Sequence, residues 1–360
     1  MRPVEFSISL TTAVPPDSSD GYVLDYSVEQ ARLAERLGFR GAWVLEHHFT
    51  PFGVCSSALT MASYLLGMTE QLRVGTAVSV VTLDHPVRIA EQVALIDQLS
   101  GGRLDLGVGR GQFPDDFKVF GVDPAKSREI MREWMDIAIR AWTDGSVEAS
   151  GDLIQFPRVP VLPAPRTKPH PPVYVAATSP TTVEWAASRG FGLLIQHGRA
   201  AERAASTLEL YADAARSAGH DPDAVEHALF CIAHVADTAE EARQAVFGNL
   251  RWWSETLRTV AFSYDELSRL PGYEAHFRDW QQRLMAGLTT KGTTVTDAHT
   301  QEIIDANPIG TPDHCVQKLH DLVSRTGIRH LVVGFEGPGR REEILASMER
   351  FAGEVMPKVQ

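Results

Sequence analysis

Residues 72–111 read LRVGTAVSVVTLDHPVRIAEQVALIDQLSGGRLDLGVGRG. Leu72–Val81 is a mostly apolar run rich in β-branched residues, and reads as a buried strand. Pro86 presets the first turn of a helix, apolar residues recur at helical spacing to Leu99, and Ser100-Gly101-Gly102 stops it. Leu104–Val108 is strand again. Two buried strands joined through a helix are the unit of a parallel sheet. The rhythm extends back to the start of the chain. Val4–Leu10 and Ala42–Leu45 read as strands, Ser27–Leu37 as a helix closed by Gly38, and Ser57–Leu66 as a second helix.

It also extends forward, more loosely. Helices are predicted at Arg128–Trp142, Thr181–Arg189, Ala200–Ala218, Ala239–Ser254, Pro312–Arg325 and Arg341–Val355. Strands are predicted at Val173–Ala177, Leu193–Gln196, Ala228–Ala236 and His330–Phe335. Two stretches break the pattern. Residues 151–172 hold seven prolines (Pro157, Pro160, Pro163, Pro165, Pro169, Pro171 and Pro172) and read as an extended excursion outside the core. Residues 262–307 are polar and poorly periodic, which suits a mobile lid. At about 150 residues per domain, 360 residues would allow two domains, but no break in composition divides the chain. Eight strands, each followed by a helix, predict one (β/α)8 TIM barrel over residues 1–360, with these two insertions. In that architecture the chemistry sits at the C-terminal ends of the strands.

Composition excludes more than it assigns. Hydrophobic residues are 44% and charged residues 22%, an ordinary globular balance. Acids outnumber bases 46 to 34, for a net charge of −12, so a nucleic-acid partner is not expected. The longest apolar run is far short of a membrane span, and no leader peptide is legible. Three well-separated cysteines, Cys55, Cys231 and Cys315, suit reduced thiols and a cytoplasmic location.

Residues with chemical potential do gather after the strands. The second strand runs into Glu46-His47-His48-Phe49. The fourth runs into Gly107-Val108-Gly109-Arg110-Gly111-Gln112, a glycine-rich turn beside a cation. By spacing alone, a phosphate seat and a turn with a solvated arginine stand level there. No helix is predicted directly after the turn and the spacing is not G-x-G-x-x-G, so a Rossmann reading is poor. The fifth strand is followed by Thr178-Ser179-Pro180-Thr181-Thr182, hydroxyls at a helix start. They suit an anion, although simple N-capping is their commoner use. Two neighbouring anion seats together favour a phosphorylated cofactor. Adjacent residues on a strand end point to opposite sides, so at most one of His47 and His48 faces the mouth. A metal pair is the weaker reading and no metal is expected. An acid/base or hydrogen-bonding histidine is the stronger, against a structural histidine bonded to Glu46. Asp115 and Asp116 after the glycine loop read first as solvated, with ordering the loop or binding a histidine as the alternative for one of them. The pair Trp252-Trp253 reads as helix packing. No G-x-S-x-G elbow or serine triad is present.

These motifs, in this order, resemble bacterial luciferase and the wider luciferase-like flavin monooxygenases. The resemblance runs through Glu46–Gly53 (EHHFTPFG), Val74–Pro86, Leu99–Arg103 (LSGGR), Gly107–Asp123 (GVGRGQFPDDFKVFGVD), Gln155–Pro163, Tyr174–Ala187 (YVAATSPTTVEWAA), Asn307–Pro312 (NPIGTP) and Gly334–Met356. It looks closest to the light-emitting α-subunit type and more distant from the F420-dependent and alkanesulfonate branches. It implies a barrel that receives reduced FMN from a separate flavin reductase and oxygenates a small molecule with O₂ through a C4a-peroxyflavin. It implies a homodimer through the helices after strands two and three. By the same resemblance His47 is the catalytic histidine beside the flavin and Asp116 a loop aspartate that influences its chemistry. Arg110, Ser179 and Thr182 are the phosphate contacts, and Ala77-Val78 is a non-proline cis peptide against the ring. Gly109, Gln112 and Thr178 line the cofactor, and Phe6, His197 and Lys291 belong to the substrate side, Lys291 reaching it from the lid.

The departures bear on substrate. Gly109 stands where luciferases carry a reactive cysteine, Thr178 replaces a glutamate, His197 a tryptophan, and Gln112 an apolar residue. They suggest retained oxygen activation on a different substrate, an aromatic or polyketide-type metabolite that is hydroxylated, epoxidised or subjected to Baeyer–Villiger insertion. A missing side chain at 109 would leave room for a bulkier substrate. A long-chain aldehyde monooxygenase, an F420-dependent oxidoreductase and a non-catalytic subunit are the alternatives.

Overall fold

The eight predicted strands close on one another. In the computed structural model, which describes residues 3–177, 179–196, 201–292 and 294–359, the strands are Glu5–Leu10 (β1), Gly41–Val44 (β2), Arg73–Thr76 (β3), Leu104–Gly109 (β4), Val173–Ala176 (β5), Gly192–Gln196 (β6), Ala228–Ile232 (β7) and His330–Gly334 (β8). Each pairs in parallel with its sequence neighbours. β1 also pairs with β8, so the sheet is a closed (β/α)8 barrel. Short strands are enough because each is buried on both faces. Outward-facing residues meet the helical ring in the main core, while Trp43, Tyr174, Leu194, Ala228 and Val332, from five strands, fill the inside. Trp43 fits there because its neighbour on β3 is Gly75: a Cβ at that position would fall 2.3 Å from the indole. Among the described residues no helix is long and apolar enough to cross a membrane.

Local chemistry accounts for most element ends. The helix Pro86–Ser100 opens on a proline and closes on left-handed Gly101. The first helix differs from expectation. It spans Asp20–Arg36, capped by the Ser19 hydroxyl, about two turns before the apolar periodicity begins. A short helix, Pro114–Phe120, follows the glycine-rich turn, where none was predicted directly after it.

Both insertions are more structured than they read. Gln155–Pro160 pairs antiparallel with Ser146–Ser150, and Val161 is 1% exposed within the main core, so the excursion is not wholly peripheral. The stretch 262–307 carries the helices Tyr264–Leu267, Glu274–Met285 and Asp297–Ala306. Phe262, Leu267 and Tyr273 form a small core of their own against Phe117. This core sets the insertion over the mouth of the barrel beside β4.

Candidate functional site

The chain leaving β2 sends its side chains in different directions. Glu46 faces the framework. Its carboxylate accepts from the Ala58 N–H at 2.8 Å and the Val80 N–H at 3.0 Å, tying the second helix to the segment after β3. His47 enters an aromatic wall, with Phe52 at 5.0 Å and Phe113 at 5.3 Å between ring centres, and Trp253 lies 5.7 Å beyond Phe52. Its Nε2 is buried with no protein partner among the described residues. Burial, helped by the neighbouring His48, holds its pKa down to about 4, so the ring is neutral near pH 7. His48 turns the other way, to Glu46 at 3.7 Å, and that carboxylate draws its pKa up. The histidine paired with Glu46 is therefore His48, at ion-pair distance and without a hydrogen bond.

Asp116 lies on the Pro114–Phe120 helix and is 2% exposed, and its Oδ1 has no protein partner. Burial raises its pKa to about 6; Glu46 and Asp115 push the same way and His48 opposes them. Asp116, Glu46 and His48 form one coupled acidic cluster behind the aromatic wall.

The Ala77–Val78 peptide is cis. Val78 projects across the end of β4, and a Cβ on Gly109 would meet its Cγ2 at 2.5 Å. The expected room in front of Gly109 is thus filled by Val78. The missing side chain widens nothing, because a neighbouring one occupies its place.

Arg110 runs under the insertion. Its Nη2 donates to the Gly272 carbonyl at 3.0 Å, and its guanidinium lies 3.9 Å from the Tyr273 ring centre. Arg128 donates to the same carbonyl at 2.8 Å. One turn on, Arg132 donates to the Thr181 carbonyl at 2.8 Å, at the start of the Pro180–Ser188 helix. The Nε atoms of Arg128 and Arg132 are buried without a protein partner among the described residues. Among the described residues no carboxylate lies within ion-pair distance of these three guanidiniums. Ser179 occupies the N-cap position of its helix, yet its hydroxyl makes no capping bond; it meets the Thr182 hydroxyl at 2.9 Å. Both are buried. Cations held by neutral oxygens, with idle donors and uncapped hydroxyls beside a helix N-terminus, suit a dianionic phosphate.

Several candidates fall elsewhere. Phe6 is not at the mouth. It is the second residue of β1, at the opposite end of the barrel, and packs edge-on to Phe351 at 5.5 Å in the outer core. Strand alternation turns it toward the helices. Lys291 sits over the Tyr264 ring at 4.8 Å, within the insertion. Gln112 is exposed on the turn after Gly111. Thr178 and His197 lie outside the described residues. Arg128, Arg132 and the Gly272-Tyr273 pair were not anticipated. The i, i+4 arginines on the Ser127–Asp144 helix were the available signal.

The comparisons bear on the family and on the fold. The family model for luciferase-like monooxygenases matches residues 4–330. The chain is 35% identical over 354 residues to the alkanal monooxygenase alpha chain of the Kryptophanaron alfredi symbiont, covering 98% of both. The monooxygenase RslO1 from Streptomyces bottropensis superposes with a TM-score of 0.81 at 26% identity, covering 98% of this chain and 99% of that one. The oxygenating constituent of 3,6-diketocamphane monooxygenase from Pseudomonas putida, a type II Baeyer–Villiger enzyme solved with FMN, superposes at 0.80 over 99% of each chain. At 20% identity this last likeness speaks for the fold alone.

Proposed function

The chain belongs to the luciferase-like monooxygenase family, and from that premise we propose that it is the FMN-dependent oxygenating component of a two-component system acting on an aromatic or polyketide-type substrate. The observation that carries the cofactor is the arginine and hydroxyl seat. Arg110, Arg128, Ser179 and Thr182 hold the phosphate, with Arg132 behind them. Ala77, Val78 and Gly109 form the apolar surface for the ring. Reduced FMN, when bound, supplies the electrons with which O₂ is activated. A separate reductase delivers it.

The protein's own part is positional and protonic. His47 is neutral and its Nε2 is free of protein partners, so it can hold a proton at the reacting oxygen or accept one from it. A histidine with its pKa near 4 does so without carrying a standing charge. Phe52, Phe113 and Trp253 keep water from that nitrogen and present flat faces to an aromatic substrate. Asp116, uncharged in part near pH 6, biases the loop beside it. The pocket volume that Val78 takes up argues for a flat substrate over a branched one. The small and apolar residues of the Ala58–Met68 and Pro86–Ser100 helices suit a homodimer.

The test is incubation with reduced FMN, ¹⁸O₂ and a panel of phenols and cyclic ketones, read by mass spectrometry. One labelled oxygen atom in an aromatic product is expected, and it should be lost in His47→Ala. A second reading, long-chain aldehyde oxidation, is favoured by the 35% identity to an alkanal monooxygenase alpha chain. Decanal consumption with light output, and no reaction of the panel, would establish it instead.

A further inference from the structure

We infer that the Gly272–Glu274 segment is a selectivity roof over the anion seat, one that accepts a phosphate ending there and rejects a phosphate that continues into a second group. The inference rests on the flavin-phosphate reading above and adds the residues that choose among flavins. The Gly272 carbonyl gathers Arg110 and Arg128 onto one oxygen. The Tyr273 ring covers the Arg110 guanidinium and is itself 1% exposed, packed with Phe117, Phe262 and Leu267. The Glu274 carboxylate accepts from the Gly272 N–H at 2.9 Å and pins the turn. The roof thus has three independent holds: two guanidiniums below, an aromatic core beside it, and a carboxylate at the turn.

What lies beneath is bordered by named groups. Ser179 and Thr182 close one side and Thr181, bonded to Arg132, the next. A terminal phosphate presents three oxygens to these donors and needs no exit. A diphosphate or phosphodiester, as in FAD or the deazaflavin F420, must carry its chain out past the arginines, and on the Arg110–Arg128 side that path is the place Tyr273 fills. Admitting it would part the Arg110–Tyr273 contact and open the small core behind. Selectivity by obstruction of the larger ligand is the cheaper device here, because the attractive contacts to the phosphate are common to all flavin nucleotides.

Equilibrium titration of the full-length protein with FMN and with FAD, followed by flavin fluorescence, tests this. Wild type is expected to bind FMN about a hundredfold more tightly than FAD. Tyr273→Phe keeps the ring and should keep that ratio. Tyr273→Ala should bring the ratio close to unity. Phe277→Ala, which loosens the same core from outside, should lower it in part and serves if the first variant does not fold. A wild type that binds the two equally, or a ratio unmoved in Tyr273→Ala or, where that variant fails, in Phe277→Ala, would overturn the roof. Arg110→Ala separates the two levels: unchanged FMN affinity in that variant defeats the phosphate reading itself, whereas weakened FMN affinity with an unmoved ratio in the roof variants defeats the roof alone.

Discussion

Two groups at the barrel mouth define the site by what they lack. Among the described residues, His47 has a buried Nε2 with no protein partner, and Arg110 has no acidic partner within ion-pair distance. A charge-assisted bond to phosphate is worth about 1.5–3 kcal/mol. Arg110→Ala is therefore expected to weaken FMN binding by roughly ten- to a hundredfold in a fluorescence titration. With a pKa near 4, His47 loses its basic form only below that value. The acid limb of turnover should fall through about pH 4 to 6, where Asp116 titrates as well, and His47→Asn should flatten the limb while leaving FMN affinity within about threefold of wild type. His47, Arg110, Ser179, Thr182 and Asp116 could all be found by reading past the strand ends. Which histidine met Glu46 could not, because alternation says only that the two diverge. Arg128 and Arg132 escaped notice because a helix that also packs the core through Met131 and Trp134 hides two arginines among its polar positions.

Elements meet at the site through a few specified contacts. Glu46 joins the start of the second helix to the segment after β3 with two backbone hydrogen bonds. Removing its carboxylate leaves two N–H groups without partners, and each such loss costs about 1–3 kcal/mol. Urea unfolding of Glu46→Ala should show a stability loss of about 2–4 kcal/mol, with Glu46→Gln keeping part of it. Val78 and Gly109 share one space, so they should not behave independently. Gly109→Ala overpacks that space and should cost about 1–3 kcal/mol, most of it recovered in the double variant with Val78→Ala. Additive losses in that cycle would show that the two do not compete. The barrel strands and their helices were legible because each hides a continuous apolar run or an apolar stripe. The insertion was not, because its helices are short and pack on one another. A capping box at Ser263 and Glu266 marked the first of them all the same.

The molecule as a whole is acidic, yet it gathers Arg110 and Arg128 under its insertion, with Arg132 one turn further along the helix that carries Arg128. The same burial that shapes the mouth makes the fold acid-sensitive. His47, His227, His234 and His276 are each held down to about 4 by burial. Between about pH 6.5 and 4 the unfolded chain takes up protons that these folded histidines refuse, so their contribution to stability is lost as the pH falls through that window. Asp116, raised to about 6, works in the opposite direction over part of it. Calorimetry from pH 7 to pH 4.5 should show a steadily falling Tm with net proton uptake on unfolding. With a net charge of −12, an anionic cofactor is held against the average field of the protein, and the arginine seat must overcome it. The most direct test of that claim compares FMN with riboflavin, which has the same ring and no phosphate. Titration of wild type should give FMN about a hundredfold tighter than riboflavin, and Arg110→Ala with Arg128→Ala should erase most of that advantage. Equal binding of FMN and riboflavin by wild type would contradict the account.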